Sequence, residues 1–100
     1  MKMVSVVTVM PLQDKVDVIV ELVTESRKGG IAGLETYSIV HSREGELVFI
    51  NQWASLDVFV DYLSSPHNMI ELIEVHCSRY DAENVSKAYS GPILHQQHFN

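Results

Sequence analysis

Two strand-like runs, Leu34-Glu35-Thr36-Tyr37-Ser38-Ile39-Val40-His41 and Glu46-Leu47-Val48-Phe49-Ile50-Asn51-Gln52-Trp53, are separated only by Ser42-Arg43-Glu44-Gly45. A link that short joins neighbouring antiparallel strands, and Gly45 supplies the positive φ that such a turn needs. The second run narrows the choice of fold further. Side chains alternate across a strand, so Leu47, Phe49, Asn51 and Trp53 face one side while Val48, Ile50 and Gln52 face the other. Both faces of the hairpin are rich in apolar side chains, and both need cover.

The flanking segments supply cover for one face. Val4-Ser5-Val6-Val7-Thr8-Val9-Met10 is a β-branched strand stopped by Pro11. Val4, Val6 and Met10 oppose Ser5, Val7 and Val9 across it. Asp14 is placed to cap a helix over residues 15–28, with Val16, Ile19, Val20 and Val23 at helical spacing and Gly29-Gly30 ending it. Beyond the hairpin, Ser55 is placed to cap a second helix with an apolar face of Leu56, Phe59, Val60 and Leu63. Ser65-Pro66 predicts a fresh cap with Pro at the first helical position, and a helix running on to about Arg79 with Met69, Ile70, Ile73 and Cys77 inward. Asp81-Ala82-Glu83-Asn84 is a loop, residues 85–89 a last short strand closed by Gly91-Pro92, and residues 91–100 an irregular tail or dimer arm.

The order is therefore βαββαβ. It predicts an α+β, ferredoxin-like domain spanning residues 1–100, with a four-stranded antiparallel sheet and the helices on one face. The helices leave the other face bare, and the simplest cover is the sheet of a second copy. The expected assembly is a homodimer with its sheets facing, a dimeric α/β barrel.

Several function classes drop out. The net charge is −6 and the seven Lys and Arg residues are scattered, which argues against nucleic acid or an anionic membrane as partner. No apolar run approaches the roughly 20 residues of a membrane span. The first segment lacks a small-residue cleavage site, so a cytoplasmic location is expected. A single cysteine, Cys77, makes no internal disulfide and is expected to be a buried, inert thiol. No Gly-rich phosphate loop and no Gly-x-Ser-x-Gly elbow is present, which argues against nucleotide-dependent and hydrolytic chemistry. His67 and His76 are nine residues apart, too far for a helical metal pair, and His95 and His98 flank two glutamines without further ligands. No metal and no cofactor is predicted.

The candidate site lies at the strand–helix junction. Trp53 offers a broad apolar face and one donor for a flat aromatic ligand; its structural alternative is a core anchor. Asn51 shares that strand face, and its amide suits a phenolate or a developing oxyanion, unless backbone groups satisfy it instead. Tyr62 and Tyr37 carry hydroxyls able to orient a substrate oxygen. His67, in the first turn of the predicted third helix, is held toward its neutral form by the helix dipole. Phe49 adds an aromatic wall on the same strand face.

The stretch Phe49-Ile50-Asn51-Gln52-Trp53-Ala54-Ser55-Leu56-Asp57, continuing through Leu63-Ser64-Ser65-Pro66-His67, resembles the antibiotic biosynthesis monooxygenase domain family, as does Gly33-Leu34-Glu35-Thr36-Tyr37. The resemblance covers about residues 3–90 and implies a dimeric α+β barrel. It also implies a small aromatic or quinone-like ligand and, in some members, oxidation of phenols or quinols by O2 without a prosthetic group. Other members degrade haem or isomerise small molecules. This chain departs from the pattern twice, with Asn51 where many members have Glu and Tyr62 where many have a helix His. Neutral groups thus replace both usual ionisable ones. Two readings follow: a cofactor-independent monooxygenase using Asn51, Trp53 and Tyr62, with Tyr37, Phe49 and His67 binding substrate, or a non-catalytic dimeric binding module. A haem-degrading relative is a third, which Tyr62 disfavours.

Overall fold

A computed structural model describes residues 1–65 and 68–99. The elements are β1 (Met3–Pro11), α1 (Val16–Ser26), β2 (Leu34–His41), β3 (Leu47–Trp53), α2 (Leu56–Leu63), α3 (Met69–Ile73), a 3-10 turn (Glu74–His76), β4 (Cys77–Ser78) and β5 (Ser86–Pro92). All strand pairs are antiparallel in the order β2–β3–β1, with β5 along most of the free edge of β1 and the two-residue β4 at its end. This is the expected α+β, ferredoxin-like arrangement, with β4 as an added fifth strand.

The hairpin forms as its turn residues require. Gly45 takes φ +90° and its N–H donates to the Ser42 carbonyl at 3.0 Å. The register pairs Val48 with Val40 and Thr8, and Ile50 with Ser38 and Val6. Leu47, Phe49, Asn51 and Trp53 consequently share the inner face, where all four are buried. The core joins Val9, Leu47 and Phe49 of the sheet to Ile19, Val23, Met69 and Ile73 of the helices.

Four details differ from the sequence reading. Asp14 does not cap α1. It adopts φ +63°, and the helix starts from Lys15 with no side-chain cap. Asp tolerates the left-handed region better than most residues, so it serves the turn after β1. The face assigned to α2 holds only at Phe59. Leu56, Val60 and Leu63 are exposed, while Val58, Phe59 and Tyr62 turn inward, because the Phe59 and Tyr62 rings stack against Trp53. Ser55 caps this helix as predicted, accepting from the Val58 N–H.

The third difference is the long helix expected up to Arg79. It is broken: Asn68 caps α3, which gives way at Glu74 to the 3-10 turn, and Cys77 enters β4 beside Pro11. Fourth, β5 continues through Pro92 rather than closing near Tyr89. The Ser65-Pro66 cap lies partly outside the described residues, as does His67. Cys77 is buried, and burial pushes its thiol pKa up, in keeping with an inert thiol. Among the described residues no helix is long and apolar enough to cross a membrane.

The outer sheet face carries Val4, Val6, Val40, Val48, Ile50 and Tyr89, brought together by the cross-strand register. No helix covers it. Ile50 is 38% and Tyr89 70% exposed, far more than comparable residues on the inner face.

Candidate functional site

β1 and β3 pair so that Ser5 stands opposite Asn51 and Met3 opposite Trp53. This places one hydroxyl between two nitrogen donors. Trp53 Nε1 donates to Ser5 Oγ at 2.9 Å, and Asn51 Nδ2 donates to the same oxygen at 3.2 Å. Trp53 is 0% and Asn51 3% exposed, so these bonds replace water rather than supplement it.

The amide oxygen of Asn51 meets a less expected partner. Arg27, the C-cap residue of α1, is only 6% exposed, and its Nη1 donates to Asn51 Oδ1 at 2.8 Å. Arg27 Nη2 lies 3.5 Å from Met69 Sδ, and the guanidinium carbon sits 4.7 Å from the centre of the Tyr37 ring. Every one of these partners is neutral. Among the described residues the ion pairs are Lys2–Glu35 and Lys28–Glu25, and neither includes Arg27. A buried cation without a counter-ion carries a large desolvation cost. The negative end of the α1 dipole and the face of Tyr37 offset part of it.

A cavity of about 690 Å³ opens beside Arg27, between the end of α1, α2 and α3. Its wall combines Arg27, Ile31, Val58, Tyr62, Met69 and Leu72 with Ser65. That volume falls within the range of small-molecule pockets. Tyr62 is held from two sides: its ring centre lies 4.9 Å from that of Trp53, and its hydroxyl accepts the Met69 N–H at 3.4 Å. Ser65 Oγ is buried and has no hydrogen-bond partner among the described residues.

The residues singled out from sequence separate into groups. Tyr62 lines the cavity. Asn51, Trp53 and Tyr37 stand behind the wall: Asn51 and Tyr37 hold Arg27, and Trp53 backs Tyr62. Phe49 is fully buried in the main core. His67 lies outside the described residues.

Arg27 and Ser5 are the members that the sequence reading passed over. A signal for Arg27 was present, since it continues the Ile19–Val23 row at four-residue spacing. An arginine on the buried row of a helix calls for a partner.

No protein-family model matches the chain, and no curated protein does. Solved structures do. Rv0793 from Mycobacterium tuberculosis superposes with a TM-score of 0.76 at 17% identity, covering 98% of this chain and 100% of that one. An antibiotic biosynthesis monooxygenase matches with a TM-score of 0.69 at 15% identity, over 92% of this chain and 98% of its own. The chain has the antibiotic biosynthesis monooxygenase fold. A variant of SnoaB, a cofactor-independent oxygenase from Streptomyces nogalater, also matches, with a TM-score of 0.73 at 11% identity over 95% of both chains. At such identities the likeness concerns the fold, and the chemistry has to be argued from the side chains.

Those side chains offer three things at one place. The cavity has apolar walls suited to a planar ligand, a phenol group on Tyr62, and a fixed positive charge on Arg27. A fixed charge in a poorly hydrated site stabilises an oxyanion more strongly than the same charge in water.

Proposed function

We propose that this protein is a cofactor-independent monooxygenase that oxidises a small phenolic or quinol-like compound with O2 in the cavity between α1, α2 and α3. The observation that carries the reading is a buried arginine that lines an aromatic-sized, largely apolar cavity. The fold shared with SnoaB supports it.

The chemistry balances without an external reductant. A hydroquinone and O2 give a hydroxyquinone and water, with one oxygen atom entering the ring and the other leaving as water. Electron transfer to O2 starts from the ionised substrate, so the protein's task is to bind, orient and favour the anion. In this reading Arg27 supplies positive charge to the anionic substrate, Tyr62 contacts the ring or its oxygen, and Asn51 and Trp53 are positioning residues. The bare outer face of the sheet, with Ile50 and Tyr89 exposed, supports a homodimer in which a second sheet covers it.

A dimeric binding module without turnover is the second reading. The bonding of Asn51 and Trp53 favours it, because the indole N–H, one N–H of the Asn51 amide and its oxygen are bonded within the protein. The deciding experiment follows O2 uptake by purified protein with hydroquinones and polycyclic phenols, beside the Trp53→Phe, Asn51→Ala and Tyr62→Phe variants. Uptake above the protein-free rate that falls in the variants is expected. Uptake no faster than without protein, or unchanged in every variant, would leave the binding module.

A further inference from the structure

We propose that the ligand of this cavity is an aromatic monocarboxylate, its carboxylate held by the Arg27 guanidinium. The proposal rests on the reading of the cavity as the ligand site, and adds the charge and class of what fills it.

Three observations converge. Arg27 borders the cavity yet is 94% withdrawn from water, being 6% exposed. Of the five N–H groups of a guanidinium, Asn51 Oδ1 and Met69 Sδ engage one each among the described residues, and both partners are neutral. The planar fork therefore keeps donors and a whole unit of charge for something else, and a carboxylate matches that fork in shape and sign. Ser65 provides the independent sign. The residue belongs to the same cavity wall, and its buried Oγ is a polar atom with no partner among the described residues.

The remainder of the wall sets the rest of the ligand. Ile31, Val58, Met69 and Leu72 are apolar and Tyr62 is aromatic, which suits a flat hydrocarbon body. The charge count sets the anion. Arg27 is the single Lys or Arg among the described lining residues, while Asp61 and Glu71, both exposed, also border the cavity. One cation beside two acidic groups suits a monoanion and disfavours a phosphate dianion. The exposed carboxylates act through water and are screened, so the buried guanidinium dominates at short range.

The probes are 2-naphthoate and its neutral isostere 2-naphthamide, titrated into the wild-type protein by calorimetry and by quenching of Trp53, the only tryptophan. Naphthoate is expected to bind roughly tenfold to hundredfold more tightly, the ratio for hydrogen bonds to a charged partner. Asn51→Asp places a carboxylate within the protein at the atom that Arg27 already touches. It is expected to weaken naphthoate at least about tenfold and naphthamide markedly less. Equal binding of the two probes, or a naphthoate affinity unmoved by Asn51→Asp, overturns this inference alone. Failure of both probes to bind overturns it together with the cavity as ligand site. The comparison of probes on the wild type needs no variant, so a misfolded Asn51→Asp would not shelter the proposal.

Discussion

Removing the single oxygen of Ser5 is predicted to destabilise the protein far more than its size suggests. Ser5 is 4% exposed, and its Oγ accepts from both Trp53 Nε1 and Asn51 Nδ2. Ser5→Ala leaves two buried donors unpaired, and each such loss costs about 1–3 kcal/mol. Part is recovered because a buried hydroxyl disappears with its own desolvation cost, so a net loss of about 3 kcal/mol is expected. For a chain of this size that lowers Tm by roughly 12–24 °C. The assay is denaturant unfolding at one fixed protein concentration, since the stability of the proposed dimer would depend on concentration. Trp53→Phe supplies the internal control. It removes the indole N–H, so in that background Ser5→Ala orphans only the Asn51 amide, and its cost is expected to fall to about half. A cost below about 0.5 kcal/mol, typical of an unremarkable surface change, would refute the reasoning. So would equal costs in the two backgrounds.

Three further outcomes are expected. Gly33 has φ +80°, and a Cβ there would lie 2.4 Å from Val58 Cβ, whereas Gly30, with φ +84°, has open space around it; Gly33→Ala is thus expected to cost about 3 kcal/mol or more and Gly30→Ala about 1–2 kcal/mol in denaturant unfolding, and equal costs would show that the α2–Gly33 contact is not tight. Burial and a hydrogen bond to Glu46 raise the Tyr80 pKa; the folded protein then binds the phenolic proton more strongly than the unfolded chain, so this contribution is complete below the unfolded pKa of about 10 and is lost as pH rises above it, and Tyr80→Phe should flatten the alkaline fall in Tm. Ile50→Lys, in the middle of the bare outer face, is expected to give a monomer in sedimentation velocity where the wild type sediments as a dimer. A wild-type monomer would remove the second sheet from the proposal.

Much of the fold was legible because its signals are local. The hairpin required only period-two alternation and a glycine at the turn. The first strand ended close to its proline and Ser55 capped α2, since each of those choices depends on a few neighbouring residues. The errors fell where local signals tie. On α2, Leu56, Val60 and Leu63 read as one stripe with Phe59, as regular as the pair Phe59 and Tyr62, and periodicity cannot rank overlapping apolar stripes on one short helix. Contact with Trp53 decided between them. Likewise the apolar spacing of Met69, Ile70, Ile73 and Cys77 reads as one helix, but β1 had a free edge at Met10 and Pro11, and pairing there drew Cys77 and Ser78 into a strand.

The sequence by itself determined the βαββ order up to α2 and the two-faced sheet, because side-chain alternation and turn chemistry act over a few residues. It placed Asn51 and Trp53 on one strand face but could not tell cavity wall from support. That depended on Ser5, 46 residues from Asn51, and on Arg27, which sequence proximity links to a polar helix end rather than to the core. Only the tertiary structure brought the end of α1 over β3 and closed α2 and α3 around the space beside it. A buried charge acquires its meaning from what surrounds it, and the groups against Arg27 come from three other elements of the chain, β2, β3 and α3.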